Sequence, residues 1–403
     1  MRSHSSWIVL VLALAGILLW RESGSGWPRG VDRGFAAWLA RASAPPTREP
    51  AVTLIGFDDA TPGSAATGTQ VPFGQPVDYA LFLKSLLPCA PAVAVIEPVL
   101  VWNGPSPANL LMLEDYSRRT PKLMVGTELG RTTDPDEDNP RLPVVGAVRG
   151  DPSRVPEFTA VSLRPAESLR EIGNAAVLNL PDPGEAHRGW IPLVVRYRGD
   201  LVPTLPLLAA MHWARATTRE LSVDLGHEIR VGSTLRIPID LTGAGLIAPG
   251  AITGVRRIAY ADLLVRAETS PGNATTAGDV VLLGRVPAEA GVSDGGFGAS
   301  RAELYARAIA AIQTGSVVRE LPGRWRAVPA LALAACGAAL FLFPRPSALL
   351  AALGMAAAYA MIARGMVSAH GLALPAVVPA GMLLLMLLLR LVIRRPAKPP
   401  AEP

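Results

Sequence analysis

Cysteine is nearly missing from this chain: Cys89 and Cys336 are the only two in 403 residues, and Cys336 lies inside an apolar run. A disulfide between them is excluded, so an exported domain here must stand on its hydrophobic core. Histidine is almost as scarce. His4, His187, His212, His227 and His370 show no metal-ligand spacing, and the chain has neither an HExxH helix nor a Ser-centred nucleophile elbow. The expectation is no metal, no cofactor and no catalytic residue. No basic stripe with interleaved aromatics occurs, which argues against nucleic acid as a partner. The acidic cluster Asp134, Asp136, Glu137 and Asp138 lacks the Gly and terminal Glu of a calcium loop and reads as a solvated loop.

What the chain does have is apolar runs. Trp325 to Phe343, Ser347 to Ala363 and Leu372 to Ile393 approach or exceed the ~17–25 residues that span a bilayer and read as three transmembrane helices with short connections. Trp7 to Trp20 is shorter, within the ~7–15 residues of a signal-peptide core, but no small-x-small cleavage site follows, so it reads as an uncleaved anchor. Arg2, Arg345, Arg394, Arg395 and Lys398 flank these runs on one side, against Arg364 alone in the opposing loop. The positive-inside rule then puts both termini in the cytosol and the polar block on the outer side of the membrane. The expected organisation is an anchor (1–25), an extracytoplasmic domain (26–322), three spans (323–395) and a short tail (396–403).

Within the polar block the patterning is that of an α/β fold with a mostly parallel sheet and flanking helices. Ala51 to Phe57 and Ala92 to Ile96 are short apolar runs of the kind buried in parallel sheets. Between them Tyr79, Phe82, Leu83, Leu86 and Leu87 recur at helical spacing, from Asp78 to a stop at Pro88. A helix over Ala108–Arg118 and a strand over Lys122–Gly126 follow. Further on, strands are expected from Ala176, over Ile191–Tyr197, around Glu228–Val231 and Thr234–Ile239, and a helix over Pro206–Arg215. The last part returns to strand (Asp279–Leu283) and helix (Glu303–Gln313), with Gly315 as the cap.

Residues just past the carboxyl ends of parallel strands line a ligand crevice, which places Asp58, Asp59 and Glu97 there. The alternative is that Asp58 or Asp59 caps the turn and Glu97 pairs with a neighbouring basic group. A glycine-rich loop, Gly291 to Gly298, carries Asp294 and either approaches an anion with its amides or is a simple turn. These four carboxylates are the candidate ligand-binding residues.

The ordered set Val52-Thr53-Leu54-Ile55-Gly56-Phe57-Asp58-Asp59, Ala92-Val93-Ala94-Val95-Ile96-Glu97, Asp182-Pro183-Gly184 with Arg188 and Ile191-Pro192-Leu193, Ile258 to Leu264, Val280 to Gly284 and Ala308 to Gly315 resembles the CHASE2 sensor domain over Ala51–Glu320. Three apolar spans after the domain are also usual there. The chain departs from that family at Val71–Pro76, where a segment bearing tryptophan and arginine is usual, and at Glu97, where aspartate is. The resemblance implies an extracytoplasmic sensor of bacterial receptors, usually joined to a histidine kinase, a serine/threonine kinase or a nucleotide cyclase. The last ten residues, Arg394–Pro403, carry no such enzyme, so the expectation is a sensor that acts through a separate kinase, cyclase or other signalling protein, with homo-oligomers also in view. A structural or scaffolding envelope component and an extracytoplasmic enzyme are the alternatives.

Overall fold

A computed structural model of the chain describes residues 26–41, 48–58, 61, 74–131, 142–180, 184, 186, 188–248, 254–270, 272, 275, 277–286, 300–321 and 325–392. The expected anchor at 7–20, Asp59, the acidic cluster at 134–138, and Asp294 with its glycine-rich loop lie outside the described residues. The fold is mixed α/β. Two compact units divide it, Ala44–Arg319 and Met1–Ser43 with Glu320–Pro403. Helix α1 (Gly26–Ala40), which the sequence reading assigns to the polar block, belongs to the second.

The first unit opens with the expected strand, helix and strand: β1 (Val52–Phe57), α2 (Pro76–Leu86) and β2 (Val93–Ile96). Helix α3 (Pro107–Arg119) and β3 (Leu123–Gly130) follow, β3 running past the expected end at Gly126. Next come β4 (Ala147–Arg149), β5 (Glu157–Phe158), β6 (Ala160–Leu163), the single turn α4 (Glu167–Arg170) and β7 (Asn174–Val177). The run read as one strand over Ile191–Tyr197 is two, β8 (Trp190–Pro192) and β9 (Val194–Tyr197), because the chain changes sheets at Leu193. A hairpin joins β9 to β10 (Asp200–Pro203) through Arg198 and Gly199, both at positive φ, as a two-residue turn requires. Helix α5 (Leu205–Trp213), β11 (Leu221–Asp224), β12 (Glu228–Val231), β13 (Leu235–Pro238) and β14 (Ala244–Ile247) lead to β15 (Arg256–Ala259) and α6 (Tyr260–Thr269). The unit finishes with β16 (Val280–Arg285), α7 (Arg301–Thr314) and β17 (Val317–Glu320) as far as Arg319.

The main sheet has the order β15-β1-β16-β2-β3-β6, with β7 also on β3, and only β6 runs antiparallel. The late strand β16 thus inserts between β1 and β2. Alternate residues of each strand feed two cores, which is why these strands read as continuous apolar runs. Val52, Leu54, Val93, Val95, Val280 and Leu282 pack under α5 and α7. Ile55, Ala94, Ile96, Val281 and Leu283 pack under α2, α3 and α6, where Tyr79, Phe82, Leu83 and Leu86 meet them at the helical spacing seen in the sequence. Asp78 is fully buried at the start of α2 and accepts from the Gly74 and Gln75 amides at 2.9 and 2.8 Å, which fixes where the helix begins.

In the second unit, α8 (Ala327–Ala338), α9 (Arg345–His370), β18 (Leu372–Ala373) and α10 (Val377–Val392) follow in order. Among the described helices only α9 is long and apolar enough to cross a membrane; α8 and α10 are shorter than the runs that contain them. Strand β18 takes the start of the last run. Helix α9 is longer than expected, so Arg345 and Arg364, both expected in connecting loops, lie within it. Ala330 and Ala334 pack on Val378 and Met382, while Leu340, Ala348 and Ala352 pack on Leu383. Asp32 of α1 accepts from the Ala376 and Val377 amides at 2.6 and 2.9 Å and so caps α10 from another helix. Leu350, Leu353, Met361 and Ile362 of α9 stay exposed.

Candidate functional site

Parallel strands bring their carboxyl ends to one edge. From β16 the chain goes to α7 on one face of the sheet, and from the adjacent β2 it goes to α3 on the other. At such a point of divergence an open α/β sheet forms a crevice. Glu97, the residue directly after β2, is only 4% exposed there. Its amide donates to the Leu283 carbonyl at 3.0 Å, which continues the sheet and holds the side chain at the edge.

The Glu97 carboxylate accepts from Nε of Arg301, and the same guanidinium gives Nη1 to Oε1 of Glu128 on β3. Arg301 is the first residue of α7. Its place is set by Ser300, whose hydroxyl accepts from the Glu303 amide at 3.3 Å while its own amide donates to Glu303 Oε2 at 2.8 Å. Oε1 of Glu303 is itself paired with Arg257 at 2.9 Å. Two glycines permit this crowding. A Cβ on Gly284 would stand 2.3 Å from Ala302 Cβ, and one on Gly126 would stand 2.4 Å from the Glu97 carbonyl.

Burial pushes the Glu97 carboxyl above the ordinary glutamate range, and the Arg301 charge opposes this without cancelling it. Burial also acts against the Arg301 charge, but Glu97 and Glu128 more than reverse it, so the guanidinium stays ionised. Behind the cluster, burial raises the Tyr305 hydroxyl, which donates to the Leu178 carbonyl. The outer half of the cluster remains open: the Arg301 and Glu128 side chains are 35% and 27% exposed. Two carboxylates sharing one guanidinium can exchange partners with an incoming ammonium, and Arg301 can turn to an incoming carboxylate.

Of the residues expected in the crevice, Asp58 directly follows β1 and closes a local turn. Its carboxylate accepts from the Thr61 hydroxyl at 2.7 Å, and its amide donates to the same oxygen at 2.9 Å. Turn capping by Asp58 and ion pairing by Glu97 are therefore the two local roles observed, and the second occurs at the crevice itself. Asp59 and Asp294 lie outside the described residues. Sequence reasoning missed Arg301 and Glu128, because it began the helix at Glu303 and ended the strand at Gly126. The Ser300-x-x-Glu303 capping box was the available signal for Arg301.

Among the described residues no three His, Cys, Asp or Glu side chains gather to hold a metal. No family model, curated protein or solved structure matches this chain.

Proposed function

We propose that the chain is a membrane-attached sensing protein whose Ala44–Arg319 unit faces the extracytoplasmic side and reads a small zwitterionic or cationic molecule at the Glu97–Arg301–Glu128 cluster. The observation that carries this reading is the cluster's position: a buried carboxylate and a half-open ion pair at the divergence point of a parallel sheet, with the arginine on the first turn of a helix. A ligand that takes Glu128 or Glu97 from Arg301 changes the forces on α7, and the chain passes from α7 through β17 directly into the apolar helices. The resemblance to CHASE2 sensors supports the same class of function, and the long apolar α9 with its exposed leucines supports membrane attachment. The thermal midpoint of the full chain in detergent, measured against single amino acids, putrescine and spermidine, tests it. At least one compound raises the midpoint in the wild type and fails to do so in Glu128→Gln, a substitution at a partly exposed position. No shift with any compound, or the same shift in the variant, overturns the reading.

A further inference from the structure

A second concavity lies beside β7, and its lining includes none of Glu97, Glu128 and Arg301. It encloses about 1090 Å³ between that strand, the end of α5 and the segment around α4, with Val125, Leu208 and Met211 as apolar floor. Lys122, Arg164, Arg170 and Arg215 line it against a single carboxylate, Glu171. Among the described residues no ion pair engages Lys122, Arg170 or Arg215. Two of them are steadied by neutral partners: Lys122 Nζ donates to the His212 carbonyl at 2.8 Å and Arg170 Nε to the Pro165 carbonyl at 2.9 Å. These bonds orient the cations without neutralising them.

Two further features point to an occupant. Thr127 lines the groove at 2% exposure, and its hydroxyl has no hydrogen-bond partner among the described residues. Nor does Nε2 of the half-buried His212. Buried polar atoms are nearly always satisfied, so both call for a group that the described residues do not supply. Lys122 and Arg215 sit at φ 51° and 58°, in the left-handed region where glycine is the unstrained choice. Arg215 takes this conformation where α5 ends: its amide and that of Ala216 donate back to the His212 and Met211 carbonyls at 3.1 and 3.0 Å.

We propose that this groove binds an anionic small molecule, bearing carboxylate or phosphate, whose charge is held by Lys122, Arg170 and Arg215 and whose polar body satisfies Thr127 and His212. The volume suits a metabolite-sized ligand with an apolar face against Leu208 and Met211. The site shares no residue with the Glu97 cluster, and the two stand or fall separately. The test is calorimetric titration of the detergent-solubilised full chain with citrate and, separately, with pyrophosphate. Saturable binding of either supports the site, and which of them binds tells carboxylate from phosphate. Arg215→Gly weakens that binding at least fivefold while leaving the thermal midpoint level or higher, because glycine relieves the strained φ; Arg170→Gln gives a second, independent loss. Binding is retained in Glu128→Gln. Absence of binding by both anions, or affinity unchanged in Arg215→Gly and Arg170→Gln, overturns the proposal.

Discussion

Arg301 is held between two carboxylates, and this determines how each partner responds to substitution. Arg301→Gln strands the buried Glu97 carboxylate, which should destabilise the unit by about 3–5 kcal/mol, whereas Glu97→Gln with Arg301→Gln should recover much of that loss. Urea unfolding of the two variants checks this, and equal stability would contradict it. The raised Glu97 carboxyl has its own signature. Its folded pKa lies above the unfolded value of about 4.3, so its contribution is full below that value and is lost as pH rises through the folded one. Thermal midpoints across pH 4 to 8 should therefore show wild type losing ground to Glu97→Gln as pH rises; a relative gain would refute the assignment. Glu97 was legible in the sequence as a carboxylate just past an apolar run. Arg301 was not, because the ion pair joins residues 204 positions apart and only the order of the strands brings them together.

At the scale of elements, caps and close approaches do the positioning. Ser300→Ala removes the reciprocal cap of α7 and should lower stability by about 1 kcal/mol, while Asp32→Ala, which frees two amides of α10, should lower that of the second unit by about 1–2 kcal/mol. Circular dichroism melts of both variants measure this. Gly126→Ala should be worse than either, since its Cβ would press on a backbone carbonyl that cannot move away. Strands β1, β2, β3 and β16 with helices α2, α5 and α7 were legible because their apolar runs and 3.6-residue spacings agree with burial on both faces, whereas β15, with three of its four residues exposed, was not. The connections in the second unit were not. Hydropathy broke the apolar run at Arg364, but one charged side chain does not end a helix whose backbone hydrogen bonds continue, and Gly371 at φ 59° ends it instead.

For the whole molecule, the sequence carried the mixed α/β class and the central strands of the sheet but not the strand order, since the insertion of β16 between β1 and β2 depends on pairings more than 180 residues apart. Exposed apolar side chains on α9 lead to a plain expectation: the full chain stays in the membrane pellet under alkaline carbonate, and release to the supernatant would contradict membrane attachment. The central claim is that the cluster at the sheet edge responds to a ligand. Hydrogen exchange of the full chain in nanodiscs, with and without the standard amino acids, putrescine and spermidine, tests it most directly. Protection should rise at residues 283–286 and 300–305 in the wild type and stay unchanged in Glu128→Gln. An unchanged pattern in the wild type, or the same rise in both proteins, would contradict it.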